Sequence, residues 1–293
     1  MAKLLVTGAS GFLGSYLEEQ APNHYELFGT YHQHAFESTR MEAIKVDLSV
    51  PTEIDQMIDR IQPEAVFHFA ALSKPNACEK DPEQSYAVNV ASSLLLAEHC
   101  QRRNIPFLYT STDQVFSGEQ GPYEVGAPTE GINTYGKHKR LAERLIIRTF
   151  PQAIIARMPL MYGWPQYGQN FLPAWVQNLQ KGEVLKAFSD EYRSPTHGAD
   201  AVAGLFLLLE KQVTGVWHLG GFERMSRSKF AEILAEVWEL PTEQLQPCLQ
   251  AEVQMAAPRP ADVSMDSTAT HFLGYQPKTI REGLQEIRAS LAR

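Results

Sequence analysis

The chain opens with Lys3-Leu4-Leu5-Val6-Thr7, an apolar run too short for a helix that reads as a strand buried on both faces. Phe12-Leu13 and Tyr16-Leu17 then recur at helical spacing. Strand and helix patterns keep alternating. Residues 25–30 and 43–46 predict strands. Residues 54–61 predict a helix started by Pro51-Thr52-Glu53. Residues 65–69 predict a strand leading into Ala70-Ala71-Leu72. A long helical pattern covers 84–103, and 106–110 is a strand that ends at Ser111-Thr112. Residues 133–149 predict a helix, and 153–157 a sixth strand. Such alternation predicts an α/β fold, a Rossmann-type doubly wound parallel sheet. After Pro159 the texture turns to Gly, Pro, Trp and Tyr. We therefore expect residues 1–158 to form mainly the dinucleotide-type sheet domain and residues 159–293 mainly a smaller C-terminal lobe, with a return to the sheet around 199–219.

Between the first strand and the first helix lies Gly8-Ala9-Ser10-Gly11-Phe12-Leu13-Gly14. A tight turn needs Gly8, backbone must come close to a pyrophosphate at Gly11, and Gly14 lets helix and strand touch. The pyrophosphate would rest on the helix N-terminus, where free N–H groups and the dipole favour an anion. Gly8, Ser10, Gly11, Phe12, Leu13 and Gly14 are thus candidate cofactor-binding residues. A glycine-rich turn without a ligand is the bland alternative, and the strand-turn-helix context argues against it.

Tyr135 and Lys139 stand four residues apart in the 133–149 helix and so share one of its faces. An ammonium beside a phenol favours the phenolate, and the pair can pass a proton to or from a carbonyl or hydroxyl. The same spacing also fits an exposed aromatic beside a solvated cation. Thr112 and Tyr135 both fall near the carboxyl edge of the predicted sheet, the usual ligand crevice of such folds. The Thr112 hydroxyl can address the same oxygen as Tyr135; a cap or turn hydroxyl is its plainer reading, and Ser111 competes for the role.

Composition narrows the classes. The 293 residues are 44% apolar and 20% charged, enough for one large core or a domain with a lobe. A formal net charge of −8 speaks against nonspecific binding to nucleic acid or a membrane surface. No apolar run approaches a membrane span, and Met1-Ala2-Lys3 leads straight into the first strand. Cys78, Cys100 and Cys248 are too few and too scattered for a disulfide framework or a zinc site. A cytoplasmic, reduced setting with no metal is expected. His68 and His197 read as hydrogen-bonded structural histidines, because no second ligand has suitable spacing.

With both motifs, the chain resembles the extended short-chain dehydrogenase/reductase family over nearly its whole length. Within that family it is most similar to the dTDP-4-dehydrorhamnose reductases. Four stretches carry the closer match: Ser111-Thr112-Asp113-Gln114-Val115-Phe116, Tyr123-Glu124, Arg193-Ser194-Pro195-Thr196, and Arg259-Pro260 followed by Ser264-Met265-Asp266. That group usually has Tyr where this chain has Gln114. The resemblance implies NAD(P)H-dependent reduction of a keto group on a nucleotide-activated sugar, with Thr112, Tyr135 and Lys139 as the catalytic trio. It places Asp47-Leu48 against adenine and Ala70 and Ala71 beside the cofactor, with Asn89 supporting the helix behind the site. Asn170, Arg193 and Arg259 fall where related enzymes line the sugar pocket, and a surface or salt-bridging arginine is the alternative for the last two. Tyr162-Gly163-Trp164 fits either the sugar site or the core.

At the end of the second strand, Gly29-Thr30-Tyr31-His32-Gln33-His34 lacks the carboxylate that NAD sites place there. NADP(H) is therefore favoured, with NAD(H) the alternative; Tyr31 and His32 are the candidate ribose or phosphate contacts, and Arg40 reads as a solvated loop residue. Two other functions stay open. A nucleotide-sugar epimerase or dehydratase is one, although family dehydratases carry Asp-Glu where this chain has Asp113-Gln114, and epimerases usually lack the Thr-Asp-x-Val-Phe pattern. The other is a non-catalytic NADP-binding regulatory subunit, like the β-subunit of methionine adenosyltransferase, against which the intact trio speaks. Related proteins often pair as homodimers through the catalytic helix. Leu94, Leu95, Leu96, Leu145, Ile146 and Ile147 are candidates for such a surface, or for the core.

Overall fold

The structure, a computed structural model, describes residues 1–292. Strand β1 (Ala2–Thr7) leads through the glycine turn into α1 (Phe12–Gln20), followed by β2 (Tyr25–Tyr31), β3 (Met41–Lys45), α2 (Pro51–Ile61) and β4 (Ala65–His68). Next come α3 (Pro75–Lys80), α4 (Pro82–Tyr86), a π-helical turn (Ala87–Ala91), α5 (Ser92–Arg103), β5 (Phe107–Thr112), α6 (Thr134–Thr149) and β6 (Ile154–Met158). The remainder holds β7 (Met161–Tyr162), α7 (Phe171–Gln180), β8 (Leu185–Phe188), β9 (Tyr192–Arg193), β10 (Thr196–His197), α8 (Gly198–Glu210) and β11 (Gly215–His218). It ends with β12 (Met225–Ser226), α9 (Arg227–Trp238), β13 (Leu245–Cys248), α10 (Thr268–Phe272) and α11 (Ile280–Leu291).

Seven parallel strands form the main sheet in the order β11-β6-β5-β4-β1-β2-β3. The order reverses between β1 and β4, which opens a crevice at their carboxyl ends. Alternate residues of each strand face opposite layers. Leu4, Val6, Phe67 and Leu108 share a core with residues of α1 and α8. Leu5, Val66, Phe107 and Tyr109 share another with α2, α5 and α6. Burial on both faces explains why these strands read as continuous apolar runs. A separate core in the second half joins Tyr162, Val176, Phe230, Leu234, Leu284 and Ile287 of β7, α7, α9 and α11.

Several expectations shift in detail. The edge strand β3 covers Met41–Lys45 rather than 43–46. The long 84–103 pattern is helical from Pro82, but a π-helical turn at Ala87–Ala91 interrupts it. Strand β11 adds to the sheet beside β6. Leu96 and Ile146 are fully in the core, whereas Leu94, Leu95, Leu145 and Ile147 are half-buried. No helix among the described residues is long and apolar enough to cross a membrane.

Candidate active site

The turn after β1 is shaped by what a side chain would strike. Gly8 has φ +69° and a Cβ there would lie 2.6 Å from the Ala70 backbone, so β1 and the loop after β4 touch only through glycine. A Cβ on Gly14 would run into the Ala9 carbonyl, which sets the close approach of α1 to β1. Gly11 is the N-cap of α1, and no side chain caps that end. Gly11, Phe12 and Leu13 of that end line the crevice, and uncapped helix-start N–H groups are the donor set that suits a pyrophosphate.

Helix α6 is fixed at its start from two directions. Asn133 caps it, its Oδ1 accepting from the Gly136 N–H at 2.8 Å. Glu79 accepts from the backbone N–H and hydroxyl of Thr134 at 2.7 and 2.8 Å. One turn into the helix, Tyr135 and Lys139 are both buried. Lys139 Nζ donates to the Thr110 carbonyl at 2.6 Å and lies 4.0 Å over the ring of Tyr109. A second turn further, Glu143 is held by Arg157 at 2.8 and 3.0 Å and accepts from Ser111 Oγ at 2.5 Å. Ser111 thereby commits its hydroxyl proton to Glu143.

Thr112, Tyr135 and Lys139 meet on the wall of one cavity of about 600 Å³. Its far end is the glycine turn with Ser10, Phe12 and Leu13. Tyr31, His32, Asp47, Leu48, Ala70 and Ala71 also line it. Gly14 does not, being packed beneath the turn. Asp47 accepts from the Ser49 hydroxyl and backbone N–H and lies 3.3 Å from His32 Nε2. Arg40 points elsewhere, tethering its loop to the carbonyls of Glu18 and Ala21.

Electrostatics differ from the simple tyrosine–lysine picture. Burial pushes the Tyr135 phenol well above its ordinary value, Asp113 and Cys78 add to the rise, and the Thr112 hydroxyl opposes it. Burial pushes Lys139 itself down to about 7, against the pull of Glu143 and Cys78. Thr112 makes the turn cap that the sequence allowed. Its hydroxyl accepts from the Gln114 N–H at 3.2 Å, capping a single 3₁₀ turn over Asp113–Val115, while still facing the cavity.

A second cavity of about 290 Å³ is lined by Arg193, Arg227, Arg259, Glu191, Trp175 and Gln114, among others. Arg193 is buried and held by Asp113 at 2.9 Å and Glu191 at 3.2 Å, so its charge is already taken. Arg227 and Arg259 have no carboxylate at ion-pairing distance among the described residues. The Arg227 guanidinium lies 4.1 Å over Phe171 and 4.7 Å over Trp175. Burial holds the Arg227 and Arg259 guanidinia below their ordinary values, with Glu191 opposing in both. Sequence reading missed Arg227 because Arg227-Ser228-Lys229 looks like a solvated helix start; only the fold brings it onto aromatics of α7.

Asn170 does not reach either cavity. It caps α7, with Oδ1 accepting from Leu172 and Gly163 and Nδ2 donating to the Met161 carbonyl. Tyr162 lies in the second-half core and Trp164 stacks on Trp238, so these aromatics are packing residues. Asn89 has a clearer part: in the π-helical turn, its amide bonds both the N–H and the carbonyl of Leu72 in the loop after β4. His68 is hydrogen-bonded as expected, to Thr7 and Ser93. His197 is buried between Tyr16 and Tyr162, but its Nδ1 has no partner among the described residues. No cluster of metal-ligating side chains occurs among them either.

Comparison with known proteins places the chain in a family. The family model described as RmlD substrate binding domain matches residues 2–293. A dTDP-4-dehydrorhamnose reductase of Aggregatibacter actinomycetemcomitans is 28% identical over 99% of both chains. The methionine adenosyltransferase 2 subunit beta of Xenopus laevis is 28% identical over 97% of this chain and 86% of its own length. Among solved structures, the dTDP-4-dehydrorhamnose reductase of Bacillus anthracis in complex with NADP superimposes with a TM-score of 0.88 at 24% identity, covering 99% of this chain and all of the other. The chain belongs to the RmlD substrate binding domain family, in keeping with the short-chain dehydrogenase/reductase motifs of its sequence.

Proposed function

We propose that the protein reduces a keto group on a nucleotide-activated sugar, using NAD(P)H. One observation carries the reading: Thr112, Tyr135 and Lys139 share a cavity with the glycine turn, and a second cavity with two unpaired arginines adjoins it at Gln114. The uncapped start of α1 and the Gly8–Ala70 contact fit a dinucleotide pyrophosphate. Gly8, Ser10, Gly11, Phe12 and Leu13 would hold it, with Tyr31, His32, Asp47 and Leu48 around the adenosine and Ala70 and Ala71 along its path. A reduced nicotinamide bound there supplies the hydride. Tyr135 keeps its proton until negative charge develops on the substrate oxygen, then gives it up; its raised pKa suits an acid in this direction. Thr112 orients the same oxygen, and Lys139, held on the Thr110 carbonyl one turn behind Tyr135, lines the same wall. Arg227 and Arg259 are placed to hold a diphosphate by charged hydrogen bonds.

The segment that ends β2 and follows it favours NADP(H), since no carboxylate opposes a 2′-phosphate among Tyr31, His32, Gln33 and His34. A cytoplasmic protein agrees with three cysteines that are all free. The regulatory reading keeps one support, the similarity to a methionine adenosyltransferase subunit. The deciding experiment offers a panel of dTDP- and UDP-linked 4-keto sugars with each reduced cofactor and follows nicotinamide absorbance. Steady net oxidation with one of them supports the reductase. Tight NADPH binding without turnover on any member would point to the regulatory subunit.

A further inference from the structure

Gln114 is the residue common to the catalytic cavity and the arginine cavity, and its amide has no freedom of orientation. The reason lies in Asn133. Asn133 Oδ1 is committed to the Gly136 N–H at the start of α6, so its Nδ2 must donate. That nitrogen donates to the Pro258 carbonyl and to Gln114 Oε1, each at 3.0 Å. Gln114 must therefore present its carbonyl to Asn133, and its remaining polar atom, Nε2, carries two donor hydrogens with no acceptor among the described residues. The backbone of Gln114 is equally fixed. Its N–H donates to Thr112 Oγ1, and its carbonyl sits under Gly136, where a Cβ would collide with it.

We propose that Gln114 is a specificity-determining residue whose Nε2 donates to an oxygen of the sugar itself, between the reacting carbonyl and the diphosphate. This rests on the nucleotide-sugar reading above and deepens it. A donor fixed at that seam favours a hydroxyl or carbonyl oxygen, which can accept from it, and disfavours an ammonium group, which has only donors to offer. It selects neutral, oxygen-bearing sugars over amino sugars at the ring position it faces. Asn133 is the positioning residue, and it also links the donor to the loop beside Arg259 through Pro258.

The test uses the full chain with NADPH, the dTDP-linked 4-keto-6-deoxyhexose as substrate, and dTDP alone as a sugarless probe. Gln114→Met removes the donor. Gln114→Glu keeps the shape and the bond from Asn133 but offers an oxygen in place of the N–H, and melting curves verify that both variants fold. The expected result for Gln114→Met is a KM for the keto sugar raised about three- to tenfold, the size of one neutral hydrogen bond, with dTDP affinity within about twofold of wild type. Gln114→Glu should raise KM at least as much. An unchanged KM in both folded variants overturns the proposal. So does a parallel loss of dTDP affinity in Gln114→Met, which would put the contact on the diphosphate. If the wild type turns over no keto sugar and does not bind dTDP, the nucleotide-sugar reading falls, and the role of Gln114 falls with it.

Discussion

At the scale of single residues, the site turns on which groups hold protons when water is excluded. Tyr135→Phe should remove turnover while NADPH affinity stays within about twofold, because only the hydroxyl is lost from a ring that is otherwise packed in place. Equal kcat in that variant would take Tyr135 out of the chemistry. Lys139 gives a thermodynamic test. Its unfolded-state pKa is the ordinary lysine value of about 10.4, and burial lowers the folded value to about 7. Between those limits the unfolded chain binds a proton that the folded chain releases, so this group's contribution to stability improves as pH rises from about 7 to about 10 and is poorest below 7. Calorimetry of Lys139→Met against wild type should therefore show the difference in Tm moving in favour of the wild type between pH 6.5 and pH 9. A pH-independent difference would mean that Lys139 is charged throughout. The Tyr–Lys spacing was legible in the sequence, because helical geometry alone pairs i with i+4. The direction of the pKa shifts was not, because burial outweighs the lysine's field and burial is a property of the folded chain.

At the scale of elements, residues near the second cavity separate into ligand-facing and frame-holding sets. Arg227→Ala and Arg259→Ala should each raise KM for a nucleotide sugar by roughly ten- to a hundredfold, the loss of a charged hydrogen bond of about 1.5–3 kcal/mol, with cofactor affinity hardly moved. Asn170→Ala should do the reverse. It removes the α7 cap at a cost of about 1 kcal/mol while leaving KM within about threefold. A KM effect larger than the stability effect at Asn170 would return it to the substrate set. The parallel strands were readable because apolar residues fill both faces of β1, β4 and β5. The π-helical turn was not, since its residues keep an ordinary helical pattern and only the backbone bond from the Ser92 N–H to the Ala87 carbonyl, five residues back, reveals the extra residue. Arg193 and Asn170 were named from position in a family pattern, and the fold gives their polar atoms to Asp113, Glu191 and backbone instead.

At the scale of the whole molecule, ligand and fold are linked by mass action: anything that binds the folded crevice alone raises the melting temperature. Saturating NADPH should raise Tm more than NADH at equal concentration, because Tyr31-His32-Gln33-His34 at the end of β2 contains no carboxylate to oppose a 2′-phosphate. A larger shift with NADH would reverse the cofactor assignment. Another whole-molecule property follows from the path of the backbone. After β6 the chain enters the second-half core, returns with α8 and β11 to the sheet, leaves again for β12 and α9, and comes back to the sheet side at Tyr275 before α11. The two halves are therefore sewn together by several stitches rather than joined by one linker. Cutting one stitch would leave the rest intact. A protease nick in any single connecting loop should give fragments that separate on a denaturing gel yet elute together, and still bind NADPH, on a sizing column.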